Sequence, residues 1–208
     1  MSGISVYSSN RITSVQLPNS SSDRIGRLFS YWTDLRDGGS VPTLTDFDPL
    51  HLPDLLPNLW MAGWQQDAKD FVYRVAGDAI LNTHARPMHR RSLQEIYPGR
   101  LGDHLRDRFT RLCAEPCLFH SVGTVYILIS RYGVGERLIL PLRDRDGVTP
   151  VVLGCTDYHV VASAGARAAE YPHGDTEIRR FLTLDGDVIA TDTRVVEPVS
   201  RDEKMPFL

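Results

Sequence analysis

Five soft or borderline metal donors fall in two short stretches of this chain: Cys113, Cys117 and His120, then Cys155 and His159. Thiolate and imidazole groups are the donors a zinc site uses. The spacing is not that of a compact zinc knuckle, because Pro116 breaks the chain between the first two cysteines and the second pair follows only much later. Buried free cysteine is a common core residue, so the cysteines are read as core and no metal is expected. A second constellation is cationic: His84, Arg86, His89, Arg90 and Arg91. Guanidinium groups present the planar donors that grip a carboxylate or a phosphate. These residues are candidates for holding an anion, against the plainer alternative of a solvated loop paired with nearby acids. His104, flanked by Asp103 and Asp107, is a third candidate.

Covalent and hydrolytic chemistry finds little support. The chain has no Gly-x-Ser-x-Gly, no His-Glu-x-x-His and no phosphate-cradling glycine loop. Gly133-Val134-Gly135-Glu136 lacks a third glycine and a following helix, and reads as a turn between strands. No enzyme is expected.

Composition narrows the setting. With 208 residues, 42% hydrophobic and 24% charged, the chain has the make-up of an ordinary globular protein able to bury a core. The run Val148 to Val161 is interrupted by Thr, Asp, Tyr and His well before it reaches membrane-span length. The first residues lack the basic start and apolar stretch of a secretory signal, and three cysteines do not form a disulfide framework. A cytoplasmic, non-membrane protein is expected. Arg supplies every basic residue except Lys69 and Lys204, and Arg outnumbers the acids between Arg74 and Arg111, yet the net charge is −3. That overall acidity speaks against a nucleic-acid partner.

The elements that must position these residues are legible from period and punctuation. Residues 1–21 are rich in Ser and Asn and are read as a flexible arm. From Ser22, Ile25, Leu28, Phe29, Trp32 and Leu35 recur at helical spacing until Gly38-Gly39 stops them. This stripe either packs on the rest of the chain or forms a homodimer seam through residues 22–37. Between Val41 and Leu59 four prolines exclude a long helix, while Asp48-Pro49 caps and opens a short one that buries Leu52, Leu55, Leu56 and Leu59. Strands are predicted over Leu59 to Gln65 and Phe71 to Ala76. Short helical pieces follow at Asp78 to Thr83 and Ser92 to Ile96, then a longer helix from Gly99 to Ala114 with Leu101, Leu105, Phe109 and Leu112 on its buried side.

Three more strands are predicted at Leu118 to Arg131, Glu136 to Leu142 and Val148 to Val160, the last two joined through Asp146-Gly147. Arg74 and Arg137, lying within strands, are expected to face solvent or sit in structural ion pairs. Beyond Val161 the chain reads as a linker, then a small hairpin around Asp185-Gly186-Asp187. The organisation expected is an arm over 1–21, one α/β (α+β) domain over 22–160, and a linker with a small extension over 161–208.

Two strands, a helical insert and three antiparallel strands, together with YWTDLRDGG (31–39), Pro42, Asp48-Pro49, LLPNLW (55–60), FVYRVAGDAI (71–80) and RLILPL (137–142), resemble a family of small bacterial stand-alone PAS-domain proteins. The resemblance covers about residues 28–158. It implies a five-stranded antiparallel sheet with short helices over one face, and a non-catalytic sensory or regulatory module with a ligand cup between them. In that frame Trp60, Tyr73 and Tyr126 point inward, while His84, Arg86 and Arg90 line one mouth of the cup. His104 occupies the helix from which haem-binding PAS domains present an axial histidine, so haem is the cofactor to test. The implied partners are a small apolar or anionic ligand or a regulatory protein, since no attached effector is visible after Val161. The alternative from another class is an interaction protein without ligand, dimerising through its N-terminal helix.

Overall fold

The structure, a computed structural model, describes residues 17, 20, 22–84, 87–128, 131–161 and 176–196. Most of the predicted arm, the linker after Val161, and Arg86 of the cationic cluster lie outside the described residues. The core is a seven-stranded sheet in the order β2-β1-β5-β4-β3-β6-β7, built from β1 (Leu59–Gln65), β2 (Asp70–Ala76), β3 (Leu118–Leu128), β4 (Arg131–Arg143), β5 (Pro150–Val161), β6 (Thr176–Leu182) and β7 (Val188–Val195). Every neighbouring pair is antiparallel. The five predicted strands are therefore extended by two. The hairpin around Asp185-Gly186-Asp187 forms as β6 and β7, but it pairs along β3, Leu118 opposite Leu182 and Gly123 opposite Glu177, so β3 is not a sheet edge.

Period-two alternation assigns each strand residue to one of two layers. Leu138, Leu140 and Leu142 of β4, with Val151, Leu153 and Cys155 of β5, meet α1 (Asp23–Asp34), whose Ile25, Leu28, Phe29 and Trp32 are fully covered. Ser22 caps α1, its hydroxyl accepting from the Ile25 N–H at 3.2 Å. The Ser22 N–H donates to Glu136 Oε2 at 3.0 Å and its hydroxyl to Asp157 at 2.8 Å, which fixes the helix start against β4 and β5. The helix ends at Asp34, and the positive-φ Gly38 and Gly39 lie in the turn beyond it. The aromatic stripe considered as a homodimer seam is thus occupied by the chain's own sheet. What α1 exposes is polar, chiefly Asp23, Arg24, Arg27, Ser30 and Asp34.

The opposite layer holds α2 (Asp78–Leu81), α3 (Leu93–Ile96) and α4 (Arg100–Ala114). Phe109 and Leu112 of α4 are buried, whereas Leu101 and Leu105 are only partly covered. Two 3-10 turns, Pro49–His51 and Pro53–Asn58, precede β1. Asp48 caps the first through Leu50 N at 2.9 Å. Leu52, Leu55 and Leu59 are buried there, but Leu56 faces outward. Gly133 to Glu136, read from sequence as a turn, is part of β4 and pairs with β5. A side chain at Gly135 would lie 2.0 Å from the Asp157 carbonyl oxygen, so close strand packing rather than a turn explains that glycine. No helix among the described residues is long and apolar enough to cross a membrane.

Although only one turn long, α3 is held at both ends of its first turn. Ser92 Oγ accepts from Glu95 N at 3.2 Å and the Glu95 carboxylate accepts from Ser92 N at 2.7 Å, a reciprocal capping box. Asp70 of β2 accepts from Gln94 N at 3.0 Å, and Tyr73 exchanges backbone hydrogen bonds with Arg90 and Arg91. Ser92→Ala is expected to lower stability by about 1 kcal/mol, measured by urea unfolding, with no change of fold by circular dichroism.

Candidate functional site

Between the sheet and α2–α4 lies a small chamber with a mixed aromatic, aliphatic and basic lining. The strands contribute Trp60, Tyr73, Tyr126, Arg137 and Ile139. The cover contributes Ile80, His84, Met88 and Tyr97, and α4 contributes Leu105, Arg108 and Phe109. Trp60 stacks on Phe109 with ring centroids 5.6 Å apart and meets Tyr73 edge-on at 5.9 Å. Its indole lies flat on the sheet because residue 154 is glycine: a Cβ there would sit 2.0 Å from the Trp60 ring. The cavity left at the centre is about 30 Å³, enough for one or two waters.

Hydrogen bonding fixes the state of His84. Its Nδ1 lies 2.9 Å from the Ile80 carbonyl oxygen, which can only accept, so Nδ1 carries the proton. Nε2 then accepts from the Tyr97 hydroxyl. Burial lowers the His84 pKa, against the Ile80 carbonyl, and Arg137 adds to the lowering. The ring is neutral at neutral pH. Burial also raises the phenols of Tyr73 and Tyr97, so these hydroxyls stay protonated at neutral pH.

Arg137 has the most unusual surroundings. It shares strand parity with the chamber-facing Ile139, and its guanidinium stands 4.7 Å from the Tyr126 ring centroid. Nη2 donates to the Val125 carbonyl at 2.6 Å and Nε to Thr156 Oγ1 at 3.2 Å. The register shift between Thr124 and Tyr126 in β3 lies beside these contacts. Among the described residues no carboxylate lies within ion-pair distance of it. Sequence placed Arg74 and Arg137 together as structural ion pairs. Arg74 does pair, with Asp144 at 2.5 Å, but Arg137 does not. Burial works against the Arg137 charge, yet its pKa is raised by Tyr126, Glu177 and Tyr97.

Of the residues singled out from sequence, Trp60, Tyr73, His84 and Tyr126 converge in the chamber. Arg90 does not: it is exposed, at a positive-φ turn position, and its backbone N–H donates to the Tyr73 carbonyl of β2. Neither does His89, whose ring contacts the Arg74 carbonyl at the surface. His104 is exposed on the outer side of α4 and lines a different cleft. A haem does not fit these positions: His104 faces away from the chamber, both nitrogens of His84 have partners, and the cavity is far smaller than a porphyrin. The soft donors are likewise dispersed. Cys113 and Cys117 pack in the α4 layer, Cys155 packs in the α1 layer, and His120 contacts Glu136 at 2.8 Å. Among the described residues no group of three His, Cys, Asp or Glu side chains is placed to hold a metal.

Sequence reasoning missed Tyr97, Arg108 and Arg137. The alternation RLILPL carried a signal for the last, since a side chain two positions before Ile139 faces the same layer.

An antiparallel sheet with α1 packed on one face and α2–α4 enclosing a small chamber on the other defines the class of the chain as an α+β domain. The PAS domain family model matches residues 20–157, and the chain belongs to that family. No curated protein and no solved structure matched the chain. Strands β6 and β7 lie outside the matched span.

Proposed function

We propose that this PAS protein is a non-catalytic sensory or regulatory module, and that a small ligand with one anionic group binds in the chamber against Arg137. The carrying observation is a guanidinium set among aromatic rings with only neutral hydrogen-bond partners. A charge so placed gains most from a counter-charge brought to it. The neutral His84 and the protonated phenols of Tyr73 and Tyr97 add polar groups without adding negative charge. A ligand larger than two waters enters only as the α2 cover moves outward. That displacement is the signal a regulatory partner would read.

The test compares acetate and benzoate with acetamide and benzamide at fixed ionic strength, following thermal unfolding and amide resonances of the full chain. The carboxylates are expected to raise the melting temperature and move resonances of the chamber strands, and the amides are not. Arg137→Met weakens binding at least about tenfold, the worth of one charge-assisted hydrogen bond. Equal or absent responses to acid and amide leave the second reading, an interaction protein whose chamber is core. The 30 Å³ volume is the observation favouring that reading. It does not draw on α1 as a seam, because the stripe is covered.

A further inference from the structure

A larger cleft, about 280 Å³, lies on the outer side of α4, where the added strands meet the family fold. His104, Asp107, Arg108 and Arg111 of α4 form one wall, Phe119 of β3 and Phe181 of β6 the floor, and Arg179 and Asp192 the far side. The two phenylalanines meet edge to face at 5.5 Å. Arg108 stands 4.2 Å from the Phe119 ring centroid and Arg111 stands 4.0 Å from that of Phe181. Among the described residues neither guanidinium has a carboxylate within ion-pair distance, whereas Arg179 shares Glu177 with Arg194, at 2.8 and 3.1 Å. Cations therefore exceed carboxylates around the cleft. The Arg108 pKa is pushed down to about 10 by burial and then by the charges of Arg179, Arg137 and Arg194, with Glu177 opposing.

We infer that this cleft binds a small phosphate monoester, its phosphate held by Arg108, Arg111 and Arg179 and its hydroxyls by Asp107 and Asp192. A carboxylate offers two oxygens and one charge, which a single guanidinium fork matches. Three guanidiniums on two elements instead suit a group with three oxygens and close to two charges. The volume lies just below the usual range for ligand sites, which sets the size at that of a simple sugar phosphate. The cleft exists only because β6 and β7 extend the sheet, so occupancy would couple α4, which also lines the chamber, to the C-terminal hairpin. This inference does not depend on a ligand in the chamber.

Inorganic phosphate and glucose 6-phosphate are titrated into the full chain at fixed ionic strength, with chloride and acetate as comparisons, and binding is followed by calorimetry and amide resonances. Saturable binding of both phosphates is expected, with shifts in α4 and β6. Arg111→Gln, at an exposed position, and Arg108→Gln should each weaken it about tenfold, while Arg137→Met, outside the cleft lining, weakens it far less. A phosphate response no greater than that of chloride overturns the proposal, as does acetate binding the cleft equally well. So does a phosphate response that survives both Gln substitutions, or one lost in Arg137→Met, which would place the anion in the chamber.

Discussion

Trp32→Ala is expected to lower the unfolding free energy by about 3–5 kcal/mol, in the range of large-to-small substitutions at covered aromatic sites. Trp32 is fully buried between α1 and the sheet, and its indole N–H donates to the Pro141 carbonyl at 3.0 Å. Truncation opens a cavity and also leaves a buried carbonyl without its donor. The loss reaches further along the chain. Arg36 lies 5.4 Å from the Trp32 ring centroid and donates to the Leu184 carbonyl at 2.7 Å, which ties the end of α1 to the β6–β7 turn. Urea unfolding followed by far-ultraviolet circular dichroism measures the effect. Arg27→Ala serves as control, since Arg27 forms an exposed pair with Asp54 and such pairs contribute at most about 1 kcal/mol. If the two variants unfold alike, α1 is not part of the cooperative core. A change of molecular mass with unchanged monomer stability would restore the seam reading of the stripe.

That example marks where the sequence stops being informative. The 3.6 period of Ile25, Leu28, Phe29 and Trp32 reveals an apolar face, but nothing in the period says whether its counterpart is the chain's own sheet or a second copy. The strands β1, β2 and β5 were legible because their apolar residues and turn signals agree, and the aromatic part of the chamber followed from the same alternation. His104 shows the opposite case. Each residue turns the helix by about 100°, so a position that flanks the Leu101 and Leu105 stripe can face out as readily as in, and here it faces out.

The hairpin around Asp185-Gly186-Asp187 was legible, but the charged start of its first strand and that strand's pairing with β3 were not. TEIRRFL contains three charged residues in seven, which masks an apolar strand pattern, yet Glu177 and Arg180 are both buried. Their burial depends on pairing with β3 and β7 and on Arg194, residues distant in sequence. Arg137 was misread for a related reason: a charged residue in a strand is most often paired or solvated, and the lack of a nearby carboxylate is a property of the fold alone.

Glu177→Gln should have an effect of similar size to that at Trp32, with a pH signature of its own. The Glu177 carboxylate is 2% exposed and accepts from Arg179 Nε at 2.8 Å, with Arg194 Nη2 at 3.1 Å. Burial alone would raise its pKa, but Arg137, Arg194 and Arg179 outweigh burial and hold it below the ordinary value of 4.5. Removing the charge leaves Arg179 and Arg194 without their shared carboxylate, and breaking a buried pair in this way costs about 3–5 kcal/mol. The sign of the pH dependence follows from the depressed folded-state pKa. Stability from Glu177 is fully present above the unfolded-state value near 4.5 and is lost as the pH falls through the lower folded value. At neutral pH the Gln variant is therefore expected to unfold at markedly lower urea than the wild type, and the gap should narrow below pH 4.5. Amide exchange distinguishes where the loss occurs. If β6 and β7 fold as one unit with the sheet, exchange quickens in β3 and β4 as well as in residues 176–195. Wild-type and variant curves that stay parallel through the acid range would mean that the Glu177 charge contributes nothing to holding the hairpin on β3.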